Sequence, residues 1–333
     1  MNTKREPSGE DKLIERFFKP LASHPGALAL SDDAAFITPP SGYDLVLTAD
    51  TTVAGVHFFA DDPPDTIAKK ALRVNLSDLA AKGAAPVGAL LAISFPDDID
   101  ESWIANFSRG LGEDCVAFSC PLIGGDTTKT PGPLSISITA VGKVPSGRMV
   151  KRAGAKPGDL VVVSGTIGDA ALALLLKQRM LSGGLGDLNK PQAAELMRRY
   201  RVPEPRLALA PLLCEYANAA MDVSDGLVGD LGKLASVSGV SAQIETAKIP
   251  LSNPAHDAIA GEADLLSTAL TGGDDYEVLA AIPEDRFSAF AEAAGKAGVP
   301  VSRIGSFGAG EGVLVLGPDG NLLSFKNTSF SHF

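Results

Sequence analysis

Gly147-Arg148-Met149-Val150-Lys151-Arg152-Ala153-Gly154-Ala155-Lys156-Pro157-Gly158-Asp159 decides how the chain is built, because glycine, proline and basic residues here replace the apolar periodicity on either side. We place a boundary there, between an N-terminal domain of residues 1–148 and a C-terminal domain of residues 149–333. Upstream, Leu13, Ile14, Phe17 and Phe18 recur at helical spacing and predict a short amphipathic helix from Asp11 to Pro20. A strand over Leu45–Leu47 is expected next, then a helix from Asp65 to Gly83, a strand at 87–95, a helix at about 100–118 and the alternating strand Leu134, Ile136, Ile138, Ala140. Downstream come a strand at Leu160–Val163, a helix at about 168–181, the Gly-rich loop Ser182-Gly183-Gly184-Leu185-Gly186 and a helix from Pro191 to Tyr200. The stiff Pro203-Glu204-Pro205-Arg206, another helix and a short strand ending at Met221 follow. The segments 225–237, 242–245, 278–282, 284–297 and 313–316 continue the alternation of strand and helix. No barrel or repeat period runs through either half, so the expected class is α/β (α+β) in two successive units.

Composition narrows the function. A chain of 333 residues has length for two domains, and 45% hydrophobic with 21% charged residues is the balance of a soluble globular protein. Twenty-nine basic against 40 acidic residues leave a net charge of −11. Such a surface repels nucleic-acid backbones and anionic lipids, so neither nucleic acid nor a membrane is an expected partner, and a phosphorylated ligand must be met by local cations or bound metal. Cys115, Cys120 and Cys214 form no Cys-x-x-Cys pair, and no run approaches the ~18 apolar residues of a membrane span, which reads as a cytoplasmic protein.

No Gly-x-x-x-x-Gly-Lys-Ser/Thr loop is present, and four histidines scattered at 24, 57, 256 and 332 argue against a histidine metal site. Aspartate dominates instead. Asp33, Asp50, Asp78, Asp126, Asp222 and Asp225 each end an apolar segment among Gly, Ala, Ser or Thr. If they converge, their repulsion demands counter-ions, and hard oxygen donors of this kind suit Mg²⁺ together with phosphate oxygens. Each could also be a helix cap or turn residue. Asn75 and Asp78 share a helical face in small, apolar surroundings, and in Met221-Asp222-Val223-Ser224-Asp225-Gly226-Leu227 an N-cap accounts for one polar side chain of three. Ile123-Gly124-Gly125-Asp126-Thr127-Thr128 and Thr271-Gly272-Gly273-Asp274-Asp275-Tyr276-Glu277 both pair glycines with acids, which suits close approach of backbone to phosphate but also an ordinary turn. Lys151-Arg152 offers a fork for a phosphate, or simply a solvated pair. Spacing leaves His57 open between core packing and a ligand role.

Taken in order, Asp50 with Gly55-Val56-His57-Phe58, Asn75-Leu76-Ser77-Asp78, Gly124-Gly125-Asp126-Thr127, Arg152 to Asp159, Asp222 to Leu227 and Gly272 to Glu277 resemble the thiamine-monophosphate kinase family, from about residue 10 to the terminal His332-Phe333. The resemblance implies a two-domain aminoimidazole ribonucleotide synthetase-like fold. Its N-terminal half would form a homodimer, its C-terminal half would be an α+β sandwich, and ATP would bind without a P-loop. It further implies that Asp33, Thr48, Asp50, Asp78, Asp126, Asp222 and Asp225 coordinate several Mg²⁺ ions, and that Gly125, Asp126, Arg152 and Ser224 hold ATP. His57 and Asp274 would contact thiamine monophosphate, with Phe325 against its base. The family usually carries a hydroxyl residue where this chain has Ala49, so a metal ligand from that position is its backbone carbonyl. Where relatives often have glutamate and tryptophan, this chain has Asp274 and Phe325.

The implied chemistry fits the inventory. An acceptor phosphate with a second pKa near ~6 is largely dianionic at neutral pH, so transfer of a γ-phosphoryl group needs positioning and charge neutralisation rather than a catalytic base. The expected reaction is direct transfer from MgATP to thiamine monophosphate, giving thiamine diphosphate. The competing enzymatic reading is a ring-closing synthetase of the same superfamily, separable by product analysis. From another class, the acidic loops could form a non-catalytic divalent-metal scaffold.

Overall fold

The structure, a computed structural model, describes residues 8–181 and 190–330, so the Gly-rich stretch 182–186 and His332-Phe333 lie outside the described residues. The chain divides into two compact units, one of residues 1–76 with 85–146 and the other of 77–84 with 147–333.

In the first unit, α1 (Gly9–Leu13) starts from a capping box in which the Ser8 hydroxyl accepts from the Asp11 N–H at 3.0 Å and the Asp11 carboxylate accepts from the Ser8 N–H at 2.7 Å. The helix expected to reach Pro20 ends early, passing into a π turn over Ile14–Phe18 and a 3-10 turn over Lys19–Leu21. Pro20 has no N–H to continue the ladder, and Phe17 and Phe18 are buried in the wider π turn before it. Next come β1 (Tyr43–Val53), α2 (Pro64–Ala81), β2 (Ala85–Phe95), α3 (Glu101–Ala117), β3 (Leu122–Lys129) and β4 (Ser135–Pro145). The strands form a sheet in the order β1-β4-β2-β3, antiparallel except for the β2–β3 pair.

Period-two alternation gives this sheet two unlike faces. Ile136, Ile138 and Ala140 of β4 lie in register with Ala89, Leu91 and Ile93 of β2 and are buried with them. Trp103 of α3 packs on Phe95 of β2 and stacks on Phe107 at 5.2 Å between ring centroids, which fixes α3 against this face. Arg73 of α2 clasps Asp114 of α3 with bonds of 2.6 and 2.8 Å. The opposite face is open: Leu47 is 66% exposed and Leu90 37%.

The second unit holds β5 (Leu160–Ser164), α4 (Asp169–Leu181), α5 (Lys190–Arg201), α6 (Ala210–Tyr216), β6 (Ala219–Asp222), α7 (Leu227–Ser238) and β7 (Ser241–Glu245), followed by α8 (Asn253–Gly261), α9 (Leu265–Thr271), β8 (Val278–Ile282), α10 (Phe287–Lys296), β9 (Val301–Gly308) and β10 (Val313–Leu316). Its sheet runs β10-β7-β9-β5-β8-β6 and is antiparallel apart from β10–β7. Both faces are covered. Val161 and Val163 of β5 join Leu227, Leu231 and Leu234 of α7 in one core, while Leu160 and Val162 join Leu213 of α6 and Phe290 of α10 in the other. That explains why β5 and β8 read as unbroken apolar runs instead of alternating ones. Residues 77–84 belong here because Ala81 lies in the second of these cores, Val150 N–H donates to the Lys82 carbonyl, and Lys82 Nζ donates to the Ala220 carbonyl at 2.8 Å.

Candidate active site

In the first unit a cavity of about 650 Å³ brings together three of the expected site residues, Asp33, Gly125 and Asp126. Glu10 and Asp32 join them, and Ile14, Phe18, Ile37 and Leu45 supply apolar wall. Gly124-Gly125-Asp126-Thr127, readable as a turn, is strand β3, paired in parallel with β2 so that Gly125 faces Leu91 and Asp126 faces Ala92. A Cβ on Gly125, whose φ is +153°, would stand 1.8 Å from the Leu91 carbonyl oxygen. Only glycine lets the two backbones lie this close, and the close approach delivers the exposed Asp126 to the cavity. Just before Asp32 and Asp33 the chain makes a left-handed turn, with Leu28, Ala29 and Leu30 at φ of 50°, 54° and 52°.

Thr48, Ala49 and Asp50 sit on β1 opposite Ala140, Thr139 and Ile138. Alternation puts the Thr48 and Asp50 side chains on one face and Ala49 on the other. His57 lies in the turn after β1, where its Nδ1 accepts from the Val53 N–H at 3.0 Å and its carbonyl accepts from Lys70 Nζ at 2.9 Å. An Nδ1 that accepts carries no proton, so the ring's hydrogen is on Nε2.

In the second unit the charged residues gather around Lys82. Asp222, at the end of β6, is buried and accepts from the Ser77 hydroxyl at 2.8 Å. Burial, reinforced by the charge of Asp78, pushes its carboxyl up to about 8. Burial lowers the Lys82 ammonium; the charge of Asp222 opposes that and the charge of Arg152 adds to it, so Asp78, Lys82, Arg152 and Asp222 form one electrostatic group. Arg152 itself is exposed. Lys82 has no role evident in one dimension, although it stands four residues after Asp78 and so one helical turn away.

The segment after Asp222 is tied down by a residue that was also missed. Asp230, fully buried in the first turn of α7, accepts from the Ser224 and Asp225 N–H groups at 3.0 and 2.9 Å, and Lys233 Nζ reaches Asp230 at 2.7 Å and also Asp225. The available signal was a carboxylate in the first turn of a helix following Ser-Asp-Gly. The Gly272–Glu277 loop lies alongside: Asp274 N–H donates to the Ser224 carbonyl and Tyr276 N–H to the Val223 carbonyl. Phe325 is half-buried against the core that contains α7.

The expected metal ligands thus divide, with Asp33, Thr48, Ala49, Asp50 and Asp126 in the first unit and Asp78, Asp222 and Asp225 in the second. Among the described residues no three His, Cys, Asp or Glu side chains lie close enough to hold a metal ion alone. The donor set nonetheless suits Mg²⁺. Every charged residue lining the cavity is an acid, so a polyphosphate approaching it needs cations, and Mg²⁺ takes one or two carboxylates and completes its shell with water and phosphate oxygens. Cys115 and Cys120 offer no alternative chemistry: burial pushes the Cys115 thiol up to about 11 and Cys120 to about 12.

Comparison with known proteins agrees with this architecture. Residues 31–144 match AIR synthase related protein, N-terminal domain, and residues 156–317 match AIR synthase related protein, C-terminal domain. The chain is 44% identical to the thiamine-monophosphate kinase of Caulobacter vibrioides, across 92% of its own length and 86% of the relative's. Among solved structures it is similar to thiamine-monophosphate kinase from Stenotrophomonas maltophilia K279a, with a TM-score of 0.80 and 41% identity over 88% of this chain and 91% of that one. It is also similar to AaThiL complexed with AMPPCP and TMP, with a TM-score of 0.76 and 34% identity over 89% of each chain.

Proposed function

Because the chain belongs to the thiamine-monophosphate kinase family, we propose that it transfers the γ-phosphoryl group of ATP directly to the phosphate of thiamine monophosphate, forming thiamine diphosphate and ADP. One observation carries this reading: a relative of the same fold, AaThiL, is complexed with AMPPCP and TMP at once. The acceptor oxygen is already anionic at neutral pH, so no side chain is assigned as a base, in keeping with the acid-rich, histidine-poor surroundings of the candidate residues.

Asp33, Thr48, Asp50, Asp78, Asp126, Asp222 and Asp225, with the Ala49 carbonyl, would hold several Mg²⁺ ions. When bound, Mg²⁺ neutralises the donor and acceptor phosphates and lowers the electrostatic barrier to their in-line approach. Gly125, Asp126, Arg152 and Ser224 would hold ATP; the apolar wall beside Asp126 supports seating the nucleoside in that cavity, and the exposed Arg152 fork suits a phosphate. His57 would meet the substrate phosphate, Asp274 its amine and Phe325 its base.

A second copy of the chain is the proposed partner, and the sheet face bearing the 66% exposed Leu47, which also lines the cavity, would border both partner and nucleotide. No helix among the described residues is long and apolar enough to cross a membrane. Three free cysteines support a reducing cytoplasm as its compartment.

The deciding test is chromatographic detection of thiamine diphosphate from ATP, Mg²⁺ and thiamine monophosphate. Asp126→Asn and Asp222→Asn should each abolish product while the protein still folds; full activity in both would overturn the metal-ligand assignment, and a different product would overturn the reaction.

A further inference from the structure

Two residues of the Gly272–Glu277 loop hold a backbone conformation that glycine adopts at far less cost. Asp274 has φ of +74° and Tyr276 +51°, although Gly272 and Gly273 stand immediately before them. Aspartate tolerates the left-handed region; a tyrosine there is an outlier that persists only where surrounding bonds over-determine it.

Those bonds are present on alternate residues. Asp275 is buried and accepts the Gly168 N–H on both carboxylate oxygens, at 2.9 and 2.8 Å. Glu277 is fully buried and receives Arg199 Nη2 at 2.6 Å, Arg206 through Nε and Nη2, and the Ser164 hydroxyl at 2.6 Å. Backbone bonds from Asp274 and Tyr276 to Ser224 and Val223 close the other side. The inward residues clamp the loop, and the two strained residues that alternate with them remain half-buried.

The strained pair are bonded to each other: the Tyr276 hydroxyl donates to Asp274 Oδ1 at 3.1 Å. We propose that Tyr276 is a positioning residue for substrate, its phenol orienting the Asp274 carboxylate toward the amine-bearing end of thiamine monophosphate. The proposal rests on the reading that Asp274 contacts substrate. The phenol bond restricts the terminal torsion of the Asp274 carboxylate and so the directions in which its oxygens are presented. Occupying an unfavourable conformation at both positions to bring these two groups together is the arrangement expected of a preorganised recognition element.

The experiment compares Asp274→Ala, Tyr276→Phe and the double variant, measuring KM for thiamine monophosphate, KM for ATP and melting temperature. Tyr276→Phe keeps the ring and removes only the hydroxyl. It should raise KM for thiamine monophosphate about fivefold with KM for ATP unchanged, and should add nothing once Asp274 is alanine. An unchanged KM in Tyr276→Phe, with Asp274→Ala impaired, overturns the positioning role and leaves the substrate-contact reading intact. A Tyr276→Phe effect undiminished in the double variant also overturns it, because the phenol then acts independently of Asp274. If Asp274→Ala itself leaves KM unchanged, the substrate-contact reading fails and the proposal with it. Should Tyr276→Phe melt early, all variants are assayed at a temperature where each is folded, and a Tyr276→Phe rise in KM for thiamine monophosphate that disappears there counts against the role.

Discussion

Gly124-Gly125-Asp126-Thr127 and Gly272-Gly273-Asp274-Asp275 are spelled almost alike and are built in opposite ways. In the first, the glycines belong to a strand, and the acid after them is exposed beside a cavity whose charged lining is wholly acidic. In the second, the glycines pass into a loop whose next acids alternate, one half-buried and the following one buried on the Gly168 N–H. A Cβ on Gly273 would stand 2.3 Å from the Ser224 carbonyl oxygen, so close backbone approach is the shared element. What differs is where the compensating charge comes from. The first region has to receive it from a ligand, and the second carries much of it within the fold, in Arg199 and Arg206.

The sharpest way to break that contrast is to compare stability after removing one charge from each region. Glu277→Gln leaves the buried Arg199 and the half-buried Arg206 short of a partner and should lose about 3–5 kcal/mol in urea unfolding, as breaking a buried ion pair does. Asp126→Asn, on an exposed side chain, should stay within about 0.5 kcal/mol of the parent. Equal losses would mean that Asp126 is also internal wiring.

A second contrast lies in the pH dependence of the metal-free protein. Asp222 is raised from 3.8 to about 8, so between those values the folded state keeps a proton that the unfolded state has released. Folding stability contributed by that protonated group is therefore present below about pH 4 and is lost as pH rises toward about 8. With chelator present, the stability of the parent minus that of Asp222→Asn should decline across this range. A flat difference would place Asp222 in a better-solvated setting than its burial implies.

These contrasts separate what the chain discloses locally from what it does not. The apolar run at Leu160–Val163 and the helix beginning near Asp65 were legible because their periodicity is their own. Strand β3 was not, since paired glycines read as a turn until β2 is there to pair with them. The same holds for Glu277, whose partners Arg199 and Arg206 are 78 and 71 residues away, and for Ser77–Ala84, which joins the second unit through Val150 and Ala220. The aspartates were legible as chemistry, because small residues around an acid at a segment end are visible in one dimension. Which acids face outward and which are clamped depends on non-local hydrogen bonds, and Asp230 and Lys82 acquire roles only through them.

The smallest expected change tests whether the second region also draws charge from outside. Arg152 is exposed, yet its charge reaches Lys82 and through it the Asp222 group. If it holds a phosphate of ATP, Arg152→Ala should raise KM for ATP about tenfold, the equivalent of roughly 1.4 kcal/mol, with no change in melting temperature. Arg152→Lys separates fork from charge. A bidentate contact leaves the lysine variant close to alanine, whereas a purely Coulombic role restores most of the affinity, because lysine supplies the same charge without the planar pair of donors. Raising ionic strength should weaken the Coulombic version more steeply than the bidentate one. An unchanged KM in the alanine variant would remove Arg152 from the nucleotide site and leave it as a modulator of Lys82 alone.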